Sequence, residues 1–303
     1  MMKADYIWMN GKIVPFEEAK IHFLSPTMHY GLGAFEGIRC YETPEGAAVF
    51  RLREHLQRLL DSALILGISE FSYSIDDLCQ ATFETIEANS FKGCYIRPLI
   101  YLDGPLGLDL DTSAAKIGIA AWEWGTYLGD KALESGVHMM VSSFTRHHIN
   151  VSMTKAKISG NYVNSVLAKT LALRSGYDEA IMLDPNGYVS ECSGENLFIV
   201  NDQNIETPPR ATILEGITRN SLITIAKDSG YNVTENLISR DQLYVADELF
   251  VCGTAAEVTP VRAVDHRTIG LGKPGPITKK IQRTFFDTVN GLGKRSKEWL
   301  EYI

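Results

Sequence analysis

Three short stretches of the sequence carry residue types that could do chemistry. Thr154-Lys155-Ala156-Lys157-Ile158-Ser159-Gly160-Asn161-Tyr162 sets two lysines between an expected strand and an expected helix, where loops present side chains to a pocket. Either amine becomes a nucleophile toward carbonyl groups if desolvated, although a loop lysine is ordinarily a solvated charge. Leu214-Glu215-Gly216-Ile217-Thr218-Arg219 reads as a helix start with Thr218 as its N-cap, Gly216 letting backbone approach a ligand. The N–H groups of Ile217 and Thr218 there favour an anion such as phosphate, though a plain cap needs no ligand. Ser190-Glu191-Cys192-Ser193-Gly194-Glu195-Asn196 places two carboxylates among small polar residues, and reads as a turn with solvated acids leading into an apolar strand. Singly, each stretch is weak evidence. An imine-forming amine, an acid to pair with a ring nitrogen and a helix-terminal anion cup are together what a pyridoxal-phosphate pocket requires.

These groups need a scaffold, and periodicity supplies one. Tyr6–Val14 is two apolar runs around Asn10-Gly11, a hairpin signal because both turn residues tolerate positive φ. Leu52, Leu56, Leu59, Leu60 and Ala63 form a helical stripe stopped by Gly67, with Arg58 off the stripe and expected to be exposed. A second helix is expected near Asp76–Asn89, then strands at Cys94–Leu102 and Ala115–Trp124. The pattern breaks at Trp124–Ser135, which suits a linker. Beyond it come a strand at Val137–Ser143, a helix at Tyr162–Arg174, and strands at Ala180–Asp184 and Glu195–Val200 joined through Asp184-Pro185-Asn186-Gly187. A helix over Thr218–Ser229, a capping box at Ser239 and Gln242, a strand at Leu249–Gly253 and a helix over Thr278–Asn290 complete the chain. Strands and helices mix without strict alternation, so the expected class is α+β. The expected division is a small domain over 1–123, a linker over 124–135 and a larger domain over 136–303.

Composition narrows the function classes. The 303 residues carry a formal net charge of −8 with no Lys/Arg block, which argues against nucleic acid as a partner. No stretch approaches the length of a membrane span, and the N-terminus lacks the apolar core of a secretory signal. The five cysteines are scattered and form no C-x-x-C pair, so reduced thiols and a cytoplasmic location are expected. No phosphate-loop, H-E-x-x-H or G-x-S-x-G motif occurs. Gly31 to Gly37 reads as a Gly-rich turn around a strand rather than a dinucleotide loop, its third glycine falling one position too late. His147-His148 lack a carboxylate at ligand spacing, and no metal site is expected.

In its blocks and their order, the chain resembles the branched-chain amino-acid aminotransferases of the fold-type IV group of pyridoxal-phosphate enzymes. The blocks are His29-Tyr30-Gly31, Phe35-Glu36-Gly37-Ile38-Arg39, Tyr95-Ile96-Arg97-Pro98, Ala121 to Gly125, Lys157 to Tyr162, Ser190 to Asn196, Gly216 to Arg219 and Gly253-Thr254-Ala255-Ala256-Glu257. The resemblance implies a smaller N-terminal α/β domain and a larger C-terminal pseudo-barrel domain.

It also implies roles that composition and spacing do not show. Lys157, rather than Lys155, would form the Schiff base with pyridoxal 5'-phosphate and then shuttle the Cα proton. Glu191 would pair with the pyridine nitrogen, Tyr162 with the phenolic oxygen, and Arg58, Ile217, Thr218 and Thr254 with the phosphate. Tyr95 and the N–H groups of Thr254 and Ala255 would hold the α-carboxylate. Tyr30, Phe35, Trp124 and Tyr162 would enclose the side chain of Leu, Ile or Val, and Arg97 would receive the distal carboxylate of glutamate or 2-oxoglutarate. Leu106 and Leu108 match a loop reaching a neighbouring subunit, which implies a homodimer or larger homo-oligomer. Ser159 stands where the family commonly has Gly, and Cys192-Ser193 replaces a Gly-Ala or Gly-Ser pair. Rival activities on the same fold are D-amino-acid aminotransferase, aminodeoxychorismate lyase and R-selective amine transaminase, and a non-catalytic binder is the alternative outside enzymes.

Overall fold

A computed structural model describes residues 4–303. The chain divides into two compact units. The first is Met1–Trp124 (described from Ala4) with Ala156–Asn161 and Thr288–Ile303, and the second is Gly125–Lys155 with Tyr162–Asp287. The first unit runs β1 (Tyr6–Met9), β2 (Lys12–Pro15), α1 (Pro26–Tyr30), β3 (Gly33–Phe35), β4 (Ile38–Thr43), β5 (Gly46–Phe50), α2 (Leu52–Leu66), α3 (Ile75–Ala88), β6 (Cys94–Asp103) and β7 (Ala114–Trp122). The second begins with α4 (Asp130–Ser135), β8 (Val137–Val141), α5 (Tyr162–Arg174), β9 (Glu179–Leu183), β10 (Val189–Cys192), β11 (Asn196–Asn201) and β12 (Asn204–Thr207). It continues with α6 (Ile217–Asp228), β13 (Asn232–Glu235), α7 (Arg240–Val245), β14 (Glu248–Gly253), β15 (Glu257–Val264), β16 (Arg267–Thr268) and α8 (Pro276–Val289). α9 (Ser296–Trp299) and β17 (Leu300–Tyr302) belong to the first unit again.

In the first unit an eight-stranded antiparallel sheet has the order β17-β5-β4-β6-β7-β1-β2, with β3 beside β6. One face is the core. Ile96, Ile100 and Leu102 of β6 and Ile117, Ile119 and Ala121 of β7 alternate onto it. There they meet Leu52, Leu56, Leu59 and Ala63 of α2. Each fully buried leucine of that stripe contributes about 1.5–3 kcal/mol. Asn10 and Gly11 take φ of 48° and 90°, which closes the β1–β2 hairpin as the Asn-Gly pair requires. α2 ends where Gly67 turns left-handed at φ 100°, and α3 starts on a capping box between Ser74 and Asp77.

The second unit has a nine-stranded mixed sheet, β10-β9-β8-β15-β14-β11-β12-β13 with β16 beside β15. β8 runs parallel to β9 and to β15. The mixed architecture is α+β, as the chain's patterning implies. Several elements differ from the sequence reading. Val189–Cys192 is a strand buried at all four positions, not a solvated turn. Ser190 Oγ donates to Thr212 O at 2.8 Å and Glu191 accepts from Leu214 N and Asn196 Nδ2, so these polar groups can be buried in an extended strand. β15 escapes the pattern because Pro260 reads as a strand breaker. β14 pairs with it over Glu257–Val261, but β8 pairs only from Val261, so the proline precedes the second ladder. The expected linker contains α4. Among the described residues no helix is long and apolar enough to cross a membrane.

Candidate active site

On β6 the side chains alternate between faces, so Tyr95 and Arg97 share the face opposite the helices. Phe35, at the end of β3, lies on the same face: the Arg97 guanidinium stands 4.8 Å from its ring centre and 5.4 Å from that of Tyr95. Arg97 Nη2 donates to the Tyr95 hydroxyl at 3.0 Å. Its Nε is buried and makes no hydrogen bond, whereas buried polar groups are ordinarily paired. Trp124 meets Tyr95 edge to face at 4.6 Å, and Trp122 adds a third ring at 5.1 Å from Tyr95. Gly37 is required here, because a Cβ at this position would stand 2.0 Å from the Tyr95 hydroxyl. The result is an aromatic wall with one cation in it.

Lys157 belongs to this group. Its Nζ lies 4.8 Å from the Phe35 ring centre, its carbonyl accepts from Phe35 N at 3.0 Å, and its N–H donates to Ser62 Oγ at 2.9 Å. Lys155 is turned elsewhere, within the second unit. Its ammonium donates to the carbonyls of Arg210 and Ile213 and lies 3.4 Å from Glu215. A lysine so engaged is a structural tether, which separates two lysines that local sequence leaves equivalent.

Arg58 is not the exposed arginine its helix position implies. Its side chain is 15% exposed, and its Nε and Nη2 donate to the two oxygens of Glu36 at 2.6 and 2.9 Å. His55 Nδ1 lies 2.8 Å from the same carboxylate. Burial pushes the Glu36 carboxyl up, but Arg58 and His55 together outweigh it and hold it well below the usual carboxylate range. Burial also holds the His55 imidazole below its ordinary value, only partly offset by Glu36. An ionised Glu36 therefore accepts a hydrogen bond from the Nδ1–H of a neutral histidine.

The second unit places Glu191 on β10, buried, with Oε1 2.8 Å from Arg146 Nε. Its Oε2 accepts from Leu214 N at 3.0 Å and from Asn196 Nδ2 at 3.2 Å. One cation and two neutral donors are the partners that favour the charged form of a carboxylate out of water. α6 starts at Ile217 on Gly216 as N-cap, a residue with no side chain to cap it, so Thr218 lies inside the helix rather than capping it. Gly216 is there for space: a Cβ would stand 2.0 Å from Asn196 Oδ1. Thr254 and Ala255 follow β14, half-buried, and Tyr162 opens α5. Arg219 instead reaches Pro208 O and Thr207 Oγ1, and secures the helix. Elsewhere Tyr30 ends α1, 44% exposed, while Leu106 and Leu108 are exposed. Among the described residues no three His, Cys, Asp or Glu side chains are placed to hold a metal ion.

Glu36, His55, Ser62, Arg146 and Asn196 are the polar groups that sequence reasoning passed over. Only a carboxylate in an otherwise apolar alternating row, Glu36 between Ala34 and Ile38, was a signal that could have been read. Arg146 sits in a loop whose pattern carries none.

In the second unit a buried acid beside an arginine and a 12-residue helix with a glycine at its entry, and in the first a loop lysine against an aromatic ring, are the kinds of group that suit pyridoxal phosphate. The chain belongs to the amino-transferase class IV family, whose sequence pattern matches residues 33–264. It is accordingly a transaminating enzyme. Among its relatives, the branched-chain-amino-acid aminotransferase of Pseudomonas aeruginosa is 48% identical over 295 residues, 97% of this chain and 95% of that one. The crystal structure of the Escherichia coli branched-chain amino acid aminotransferase is 48% identical and superposes with a TM-score of 0.96 over 99% of both chains. The T.th. branched-chain amino acid aminotransferase with pyridoxamine 5'-phosphate is 47% identical, with a TM-score of 0.96 over 100% of this chain and 99% of that one. The same T.th. protein has been crystallised with N-(5'-phosphopyridoxyl)-L-glutamate and with 4-methylvaleric acid (46% identity, TM-score 0.95, the same coverage). The α+β architecture is thus that of fold type IV.

Proposed function

We propose that the enzyme exchanges the amino group reversibly between the branched-chain L-amino acids Leu, Ile and Val and 2-oxoglutarate. The products are branched 2-oxo acids and L-glutamate, and pyridoxal 5'-phosphate is the cofactor. The observation that carries this reading is Arg97, a cation with a buried, unbonded Nε set among Phe35, Tyr95 and Trp124. An apolar side chain packs on the rings, and a distal carboxylate pairs with the guanidinium. The phosphopyridoxyl-glutamate and 4-methylvaleric acid bound by the T.th. relative support the same two classes of substrate.

When bound, the cofactor supplies an aldehyde that condenses with amines and a ring that draws electrons from the substrate Cα. Lys157 Nζ would hold it covalently and, once the substrate's own amine has displaced it, the freed Lys157 amine would take the Cα proton and return it. Glu191, paired with Arg146, would hold the ring nitrogen in its protonated form. Tyr162 donates to the phenolic oxygen. Arg58, Thr254 and the α6 start at Ile217 and Thr218 would bind the phosphate, where the helix dipole favours negative charge. Tyr95 and the N–H groups of Thr254 and Ala255 bind the α-carboxylate, and Tyr30 extends the aromatic wall.

Leu106 and Leu108, 43% and 87% exposed, are apolar positions suited to cover by a second copy, and we take the active form to be at least a homodimer. The five free, buried cysteines fit a reducing compartment, and we place the enzyme in the cytoplasm.

The test is a panel of amino donors with 2-oxoglutarate, run beside Lys157→Ala. L-leucine, L-isoleucine and L-valine are expected to be turned over and the variant to be inactive. Borohydride reduction should fix a pyridoxyl label on Lys157. Faster turnover of D-alanine than of L-leucine overturns the substrate assignment, and a label absent from Lys157 overturns the assignment of the amine.

A further inference from the structure

Glu36, between β3 and β4, is out of place in its own row of side chains. Ala34, Glu36 and Ile38 point to one side of the β3–β4 segment, and the first and last of them are fully buried in the apolar core against α2. Glu36 is 0% exposed in that row. A buried ion pair contributes little net stability, and apolar residues of similar volume commonly serve as well or better. Folding alone therefore does not account for a carboxylate here.

Its contacts do. Both oxygens are engaged by Arg58 through Nε and Nη2, a two-point fork that fixes the plane of the guanidinium. The oxygen facing Nη2 is also held by His55 Nδ1 at 2.8 Å and by Gly37 N at 3.2 Å, so the carboxylate cannot rotate. α2 carries the other half of the frame. His55, Arg58 and Ser62 lie at i, i+3 and i+7, along one side of the helix. Ser62 Oγ donates to the Arg58 carbonyl at 2.7 Å and accepts from the Lys157 N–H at 2.9 Å. One helix thus ties the backbone of the lysine assigned to the cofactor to the residue assigned to the phosphate, and Glu36 sets the plane of that residue's guanidinium.

We infer that Glu36, backed by His55, is the positioning residue that aims Arg58 at the cofactor's phosphate. This rests on the assignment of Arg58 to the phosphate made above. It carries a sign that simple charge counting does not. Glu36 neutralises Arg58, so charge alone predicts that losing the carboxylate strengthens phosphate binding. Positioning predicts that it weakens.

The experiment compares binding of pyridoxal phosphate and of pyridoxal, which lacks the phosphate, to the cofactor-stripped full chain, followed by absorbance. A general loss of folded protein lowers both affinities alike, so the ratio of the two isolates the phosphate contact. For Glu36→Gln the ratio should fall on the order of tenfold, the scale of one charge-assisted hydrogen bond, with pyridoxal affinity unchanged. Glu36→Asp keeps the charge but withdraws the fork by one methylene, and should lower the ratio by a smaller factor. It also serves if Glu36→Gln does not fold. Arg58→Ala should collapse the ratio. If it does so while both Glu36 variants keep or raise the wild-type ratio, the inference is overturned and the assignment of Arg58 stands. If Arg58→Ala leaves the ratio intact, the assignment of Arg58 fails and the inference with it.

Discussion

Arg146 Nε lies 2.8 Å from Glu191 Oε1, and the two side chains are only 8% and 7% exposed. The Nε–H is not aligned on that oxygen, so the contact is a charge pairing rather than a directed hydrogen bond. Its consequence is protonic. Glu191 needs a nearby cation to remain a carboxylate away from water. Arg146→Met preserves length and removes the charge. The expected result is a loss of about 3–5 kcal/mol in stability, the scale of stranding one member of a buried pair. The acidic limb of the kcat–pH profile should also move to higher pH. Urea unfolding and the pH profile check the two halves separately, and an unmoved acidic limb contradicts the role given to Arg146.

Gly216→Ala tests the same acid from its other side. The added Cβ would stand 2.0 Å from Asn196 Oδ1, and Asn196 Nδ2 is the donor to Glu191 Oε2 and to Leu214 O. The amide must move, and Glu191 loses a partner. We expect a destabilisation of about 1–3 kcal/mol, the cost of overpacking a filled site. Weaker cofactor retention should follow on gel filtration. Wild-type retention and wild-type melting together would show that Asn196 yields without disturbing Glu191.

Gly37→Ala acts on the substrate rather than the cofactor. The methyl group would meet the Tyr95 hydroxyl at 2.0 Å, which is also the acceptor for Arg97 Nη2. Displacing that ring removes an assigned ligand of the α-carboxylate and loosens Arg97. KM for both L-leucine and 2-oxoglutarate should rise, on the order of tenfold for one lost hydrogen bond to a charged group. The cofactor's absorbance should be unchanged. A variant with altered absorbance and unaltered KM would place the damage elsewhere.

Much of the first unit was legible because its signals are local: the Asn10-Gly11 hairpin, the α2 stripe stopped by Gly67, and the alternation of β6. The Ser239–Gln242 capping box was read the same way. What escaped depends on partners far along the chain. Arg58 looks exposed from α2 alone, and only Glu36, 22 residues earlier, makes it a buried donor. Val189–Cys192 looks like a solvated turn until Arg146, Asn196 and Leu214 are seen to satisfy Glu191. Local sequence could not choose between Lys155 and Lys157, because the carbonyls that engage Lys155 lie 55 and 58 residues away, at Arg210 and Ile213. Resemblance named the site residues; it did not name the groups that hold them.

The last prediction concerns Glu195, fully buried beside the β10–β11 turn. Burial first and the negative charge of Glu179 second push its carboxyl up to about 8, with Lys169 pulling the other way. An unfolded glutamate ionises near pH 4.3, at about its reference value. Between that pH and about 8 the folded chain holds a proton that the unfolded chain has released, so this group makes stability fall as pH rises. Its contribution is complete below the unfolded value and exhausted above the folded one. Glu195→Gln mimics the protonated form at every pH. Melting temperatures of the two proteins should therefore lie close together near pH 5 and diverge toward pH 8.5, with the variant the more stable. Parallel curves across that range would mean that Glu195 does not retain its proton in the fold.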